Sequence, residues 1–214
     1  MKKIIKILLG LVAVVAIVGI IYMVILFPVH KYSENTATNE SFDVGAMLQK
    51  SIQKNLSFEN GKGKTTISLT EDELKGLILS EMKKSGNVDG VDISIGSNTI
   101  DIYVSQKVWK YFPTEISLLF KSEMRDGKSK LVLNDAKLGK LDLDKETVLN
   151  KIKDSKIRFF DVQPLSGEII LEDEELKDLI TVNAIRLEDH KASVDIEVEV
   201  NSIEDLKRLM NLAT

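Results

Sequence analysis

The uncharged run ILLGLVAVVAIVGIIYMVILFPV, from Ile7 to Val29, constrains this chain before anything else does. So many apolar side chains in a row have to be hidden from water. As a helix rising ~1.5 Å per residue, the run measures about 34 Å, against about 30 Å for the hydrocarbon core of a bilayer. Lys2, Lys3 and Lys6 precede it, Tyr22 lies inside it, Pro28 closes it, and His30, Lys31 and Tyr32 follow at the expected interface. A cleaved signal peptide has a shorter apolar core of ~7–15 residues and a small-residue cleavage site. Here no A-x-A stretch follows, and the chain has no cysteine for lipoprotein processing. The sequence predicts a cytoplasmic tip and transmembrane anchor over 1–30. With three lysines before the run and one just after it, the N-terminus is expected inside the cell and the remainder outside. That describes a single-pass protein of the cell membrane with an extracytoplasmic domain.

Charge narrows the partners. The formal net charge is −4, and setting aside Lys2, Lys3 and Lys6 leaves −7 on everything beyond. An acidic outer domain argues against nucleic acid and against broad attraction to anionic lipid surfaces. Without cysteine there is no disulfide framework and no thiolate metal site, so stability rests on packed apolar area.

Residues 31–41, containing SENTATNES, read as a polar stalk, and 42–214 pattern as one folded domain. Val44, Met47, Leu48, Ile52 and Leu56 share a helical face. ENGKGK over 59–64 reads as a loop and TTISL over 65–69 as a strand. Thr70 and Glu73 form a capping box ahead of a helix with Leu74, Leu77, Ile78 and Met82 on one side. Val91, Ile93 and Ile95, then Ile100, Ile102 and Val104, alternate with polar residues around the turn GSN, which is a hairpin pattern.

A second passage follows the same plan. LTEDELKGLI at 69–78 and LEDEELKDLI at 171–180 agree at six of ten positions, and the second also leads into an alternating hairpin carrying Val194, Ile196, Val198 and Val200. The expectation is a repeated strand–helix–hairpin unit over about 63–104 and 166–200. Between the units, Asp126–Gly127 marks a hairpin turn. A phase slip between Leu138 and Leu141 places a bulge at Gly139. Asp144 is a candidate cap for a helix through Val148, Leu149 and Ile152, and Ser202 with Asp205 has capping-box spacing for a last helix. The predicted fold class is α+β: an N-terminal transmembrane helix, then a curled, largely antiparallel sheet packed on short helices.

Reactive motifs are scarce. The acidic runs EDE and EDEE sit at helix starts, where the dipole favours negative charge and consecutive residues diverge around the helix. NVDGVD lacks the ligand order of a calcium loop, and NGKGK lacks phosphate-loop spacing. His30 and His190 have no nucleophile in a recognisable motif near them. No enzyme, metal or cofactor is expected. VWKYFP at 108–113 holds Trp109, Tyr111 and Phe112. These aromatics serve either as a plug at the end of the sheet or as a membrane-facing rim, and Phe159 with Phe160 forms a second such pair.

The quoted segments also resemble a family. LTEDELKGLI is similar to an lT.eeLN.ll segment, and EMRDGKSKLVLNDAKLGKLDLDKETVLNKI to a dG.l.l…slslG.l.lP…vL..i segment. With the anchor and stalk, they resemble the YpmS-like family of uncharacterised membrane-anchored proteins of Gram-positive bacteria. More loosely, the helix, curled hairpins and LG.L.L bulge resemble tubular lipid-binding (TULIP or BPI-like) folds, which implies lipid held between a helix and a bent sheet.

Two functions follow as expectations. The first is an anchored module binding a lipid or other amphiphile in an apolar groove. The groove would be lined by Ile93, Ile95, Ile100, Ile102, Val104, Trp109, Phe112, Val194, Ile196 and Val198. The second is a solid-core interaction or scaffold module with a cell-envelope protein partner. Alternation alone fits both, since ligand cavities and packed cores are both apolar.

Overall fold

The computed structural model describes residues 2–30, 32, 57–59, 62–83, 88–108, 111–125, 128–155, 160–172, 177–199, 202 and 205. In chain order the elements are α1 (Lys2–Ile25), β1 (Ser57–Glu59), β2 (Lys62–Thr70), α2 (Glu71–Lys83), β3 (Val88–Ile95), β4 (Thr99–Val108), β5 (Phe112–Arg125), β6 (Lys128–Leu138), β7 (Leu141–Asp142), α3 (Lys145–Asp154), β8 (Phe160–Gln163), β9 (Glu168–Leu171), β10 (Ile180–Glu188) and β11 (Lys191–Glu199). They build two antiparallel sheets. One runs β1-β2-β11-β10; the other has seven strands, β3-β4-β5-β6-β9-β8 with β7 beside β6.

The alternating segments become strands because one face of each is buried. Val91, Ile93, Ile95, Ile100, Val104, Phe120, Leu133 and Ala136 form the core face of the larger sheet. Ile185, Leu187 and Ala192 of the smaller sheet join the same cluster, so the sheets share one core. Ser122 Oγ donates to the Ile185 carbonyl across them at 3.1 Å. Of the predicted α2 stripe, Leu74, Ile78 and Met82 pack on this core, with Leu79 beside them in the place expected for Leu77, and α3 inserts Leu149, which is completely buried. Both helices start as the sequence predicts. The Thr70 amide donates to Glu73 Oε2 at 2.8 Å while the Glu73 amide donates to Thr70 Oγ1 at 3.3 Å. The Thr147 amide donates to Asp144 Oδ2 at 2.8 Å.

Several expectations are corrected. The fold is not one curled sheet on helices but mostly antiparallel sheet in two packed layers, with the short helices α2 and α3 packed on the shared core. No helix among the described residues is long and apolar enough to cross a membrane. The apolar run is not one span: α1 ends at Ile25, and the chain after it turns onto the sheet, where the Lys140 amide donates to the Ile25 carbonyl at 2.8 Å.

The second decapeptide does not repeat the first. Its residues 177–179 form a turn and Ile180 already begins β10, while 173–176 lie outside the described residues. The two units also exchange strands. β2, from the first, pairs with β11 of the second, and β9, from the second, pairs with β6 of the larger sheet. The bulge predicted at Gly139 sits elsewhere. Leu119 pairs with Asp135 and Phe120 with Leu133, leaving Asn134 as the extra residue, so Leu133 and Ala136 both reach the core. Gly139 is instead in a two-residue turn at φ +60. β2 begins at Lys62, inside the expected loop. The helix expected over 44–56 and the stalk residues 33–41 lie outside the described residues. Of the last helix, Ser202 Oγ accepts from the Asp205 amide at 3.1 Å, as its spacing predicts.

Candidate functional site

On the larger sheet, the positions between the core residues bring a polar row together. Asp92 of β3, Tyr103 of β4, Ser117 of β5 and Lys137 of β6 are direct cross-strand neighbours. One step along lie Gly90, Ser105 and Glu115, with the Gly139 amide donating to the Glu115 carbonyl at 2.7 Å.

The segment following α1 docks here. Leu26 O accepts from Thr114 Oγ1 at 2.9 Å, and the Tyr22 hydroxyl donates to the Pro113 carbonyl. His30 stacks on Tyr103 with ring centroids 4.0 Å apart and places Nε2 2.8 Å from Asp92 Oδ2. Tyr32 donates to Glu115 Oε2 at 2.9 Å. Glycine permits the approach at both ends of the row. A Cβ at Gly139 would overlap the Ile25 carbonyl oxygen and lie 2.8 Å from Leu26 Cα, while one at Gly90 would touch the Tyr32 ring at 3.9 Å.

The charges of this seam are matched to one another. Burial opposes ionisation of Asp92, but hydrogen bonds from His30 and Lys75 and the lysine charge outweigh it, so its carboxyl lies below the usual range. Burial, then the Glu115 hydrogen bond and charge, hold the Tyr32 hydroxyl neutral far above the usual tyrosine range. Burial and the carboxylates of Asp101, Glu115 and Asp92 raise Tyr103 likewise. Beside the seam, Val29, His30, Tyr103, Ser117, Lys137 and Lys140 line an open cavity of about 520 Å³. Among the described residues no three His, Asp or Glu side chains converge as metal ligands.

The apolar residues singled out from sequence are divided between the two sheets. Ile93, Ile95, Ile100 and Val104 are buried in the shared core, and Ile102 packs against it. Val198 is buried in the smaller sheet, where half-buried Val194 and Ile196 pair with Ile67 and Thr65 of β2. Phe112 is 43% exposed and meets Tyr22 of α1 edge-on, with ring centroids 5.1 Å apart. Trp109 lies outside the described residues. A cavity of about 490 Å³ on the smaller sheet is lined mostly by polar side chains such as Lys64, Thr66, Asn183 and Asp195.

Among the described residues, most of the exposed large apolar side chains belong to α1. Its valines, isoleucines and Met23 from Val12 to Val24 are 51–64% exposed, and Tyr111, at 81%, stands beside Phe112 at its C-terminal end. Sequence reasoning missed the docking seam because His30 and Tyr32 read as interface residues after a span. The one local signal was glycine within alternating strands, which marks close backbone approach as well as bulges. The chain matches no family model, no curated protein and no solved structure.

Proposed function

We propose that the protein is a non-catalytic, membrane-associated interaction module. On this reading α1 is covered by lipid, and the solid-core sheet domain is presented at the bilayer surface to a cell-envelope partner. The observation that carries it is the exposure of α1 at every position from Val12 to Ile21, a stretch that passes all round the helix. A helix that is apolar all round is stable only when enclosed. Burying one valine or isoleucine side chain is worth roughly 1.5–3 kcal/mol. Several left in water therefore offset the ~5–15 kcal/mol that hold a typical domain together.

The aromatics support the same reading. Tyr22 and Phe112 meet at the end of α1, with the exposed Tyr111 next to Phe112 in the chain, and rings with a polar edge favour the headgroup layer. The seam supports a fixed rather than loose attachment, since the chain meets the sheet directly after α1. The interior favours a partner surface over an internal ligand, because the aliphatic faces pack on one another and on α2 and α3.

The test is flotation of the full chain with phosphatidylcholine vesicles. Wild type is expected to rise with the vesicles. The double variant Val15→Asp, Val18→Asp is expected to remain below with an unchanged sheet signal by circular dichroism, since both positions are exposed. A wild-type chain that stays monomeric in the aqueous fraction overturns the proposal.

A further inference from the structure

The cavity beside the seam lies at the foot of the apolar helix. Its wall residue Lys140 donates its backbone amide to the last carbonyl of α1, that of Ile25, at 2.8 Å. Val29, an exposed aliphatic, forms one lip, while the hydroxyl-bearing Tyr103 and Ser117 belong to the polar row beneath. Two lysines reach it. Lys137 is 2.6 Å from Asp135, and the exposed Lys140 has no ion pair among the described residues. The acidic group in the wall, Glu115, is engaged by Tyr32. At about 520 Å³ the space falls within the range of small-ligand sites.

We infer that this cavity binds the anionic phosphodiester headgroup of a membrane lipid, with Lys140 and Lys137 on the phosphate and the acyl chains running along α1. The inference rests on the membrane association proposed above and names the lipid chemistry that α1 brings to the domain. Lysine serves phosphate as a point charge, without the geometric demand of an arginine fork. Surface charge gives a different pattern. The acidic domain is repelled by an anionic bilayer as a whole, so selection here is by one site and is stoichiometric.

The experiment is native mass spectrometry of the full chain in nonionic detergent with equal amounts of phosphatidylglycerol and phosphatidylcholine. Wild type is expected to retain one phosphatidylglycerol per chain, with a preference of about tenfold. Lys140→Glu is expected to lose that preference with an unchanged melting temperature, since the side chain is exposed. Retention of phosphatidylglycerol by Lys140→Glu, or equal retention of both lipids by wild type, overturns the inference. Displacement of the lipid by millimolar inorganic phosphate overturns the lipid source and leaves a free-phosphate site. Flotation on pure phosphatidylcholine separates the two readings: Lys140→Glu is expected to float like wild type, and failure of both proteins to float removes the α1 proposal and this inference with it.

Discussion

Glu115 is only 3% exposed, and its carboxylate has the Tyr32 hydroxyl as a direct partner 2.9 Å away. A buried acceptor that loses its donor keeps the desolvation penalty without the bond. Tyr32→Phe is therefore expected to cost about 1–3 kcal/mol, read as a lower urea midpoint with unchanged slope. Leu133, 1% exposed at the centre of the larger sheet, sets the comparison. Leu133→Ala is expected to cost about 2–5 kcal/mol, because the neighbouring strands cannot collapse into the cavity left behind. An effect of Tyr32→Phe indistinguishable from zero removes the seam as a stabilising contact. At this scale the core was legible from alternation, since Ile93, Ile95, Ile100 and Val104 face inward as their spacing requires. Tyr32 and Glu115 were not, because 83 residues separate them and no local pattern couples them.

Among the elements, the two similar decapeptides make the contrast. Thr70 is the second residue of the first and closes a reciprocal cap with Glu73; the equivalent position in the second is Glu172, which has no hydroxyl to offer. The sequence difference at that one position agrees with a helix in one place and a turn in the other. Thr70→Ala is expected to destabilise the protein by about 0.5–2 kcal/mol, measured by thermal melting. A second element-level case is the turn at Gly139. Its φ of +60 and the crossing Ile25–Leu26 backbone both exclude a side chain. Gly139→Ala is expected to loosen the docked segment, seen as faster amide hydrogen exchange at Lys140 while the β3–β4 ladder keeps its protection. The phase slip marked this glycine as special but not its role, since a turn and a bulge break alternation alike.

Across the whole molecule, the sheets are tied at one corner. Glu71 of α2 accepts from the Ile95 amide at 2.6 Å and sits 3.0 Å from Nδ1 of His190, whose own amide donates to the Ile95 carbonyl at 2.9 Å. The hydrogen bond and charge of Glu71 raise the His190 imidazole above its ordinary value of 6.5. A raised folded-state value means the contribution is complete below pH 6.5 and fades as pH rises through the raised value. Wild type is expected to show a slightly falling urea midpoint over that interval, and His190→Asn, which tolerates the φ of 67 and cannot titrate, a flatter one. Equal slopes would sink the assignment. By itself the sequence determined which stretches alternate, where helices are capped, that the charge beyond the first six residues is negative, and that an apolar run near the N-terminus has to be covered; these are properties of neighbours within a few residues. Only the tertiary structure decided that the two expected units trade β2 and β9 between sheets instead of repeating, that the apolar run breaks after Ile25, and that His30 and Tyr32 close over Asp92 and Glu115. Those outcomes depend on which distant surfaces fit together, and a burial pattern of period two says that a face is hidden without saying what hides it.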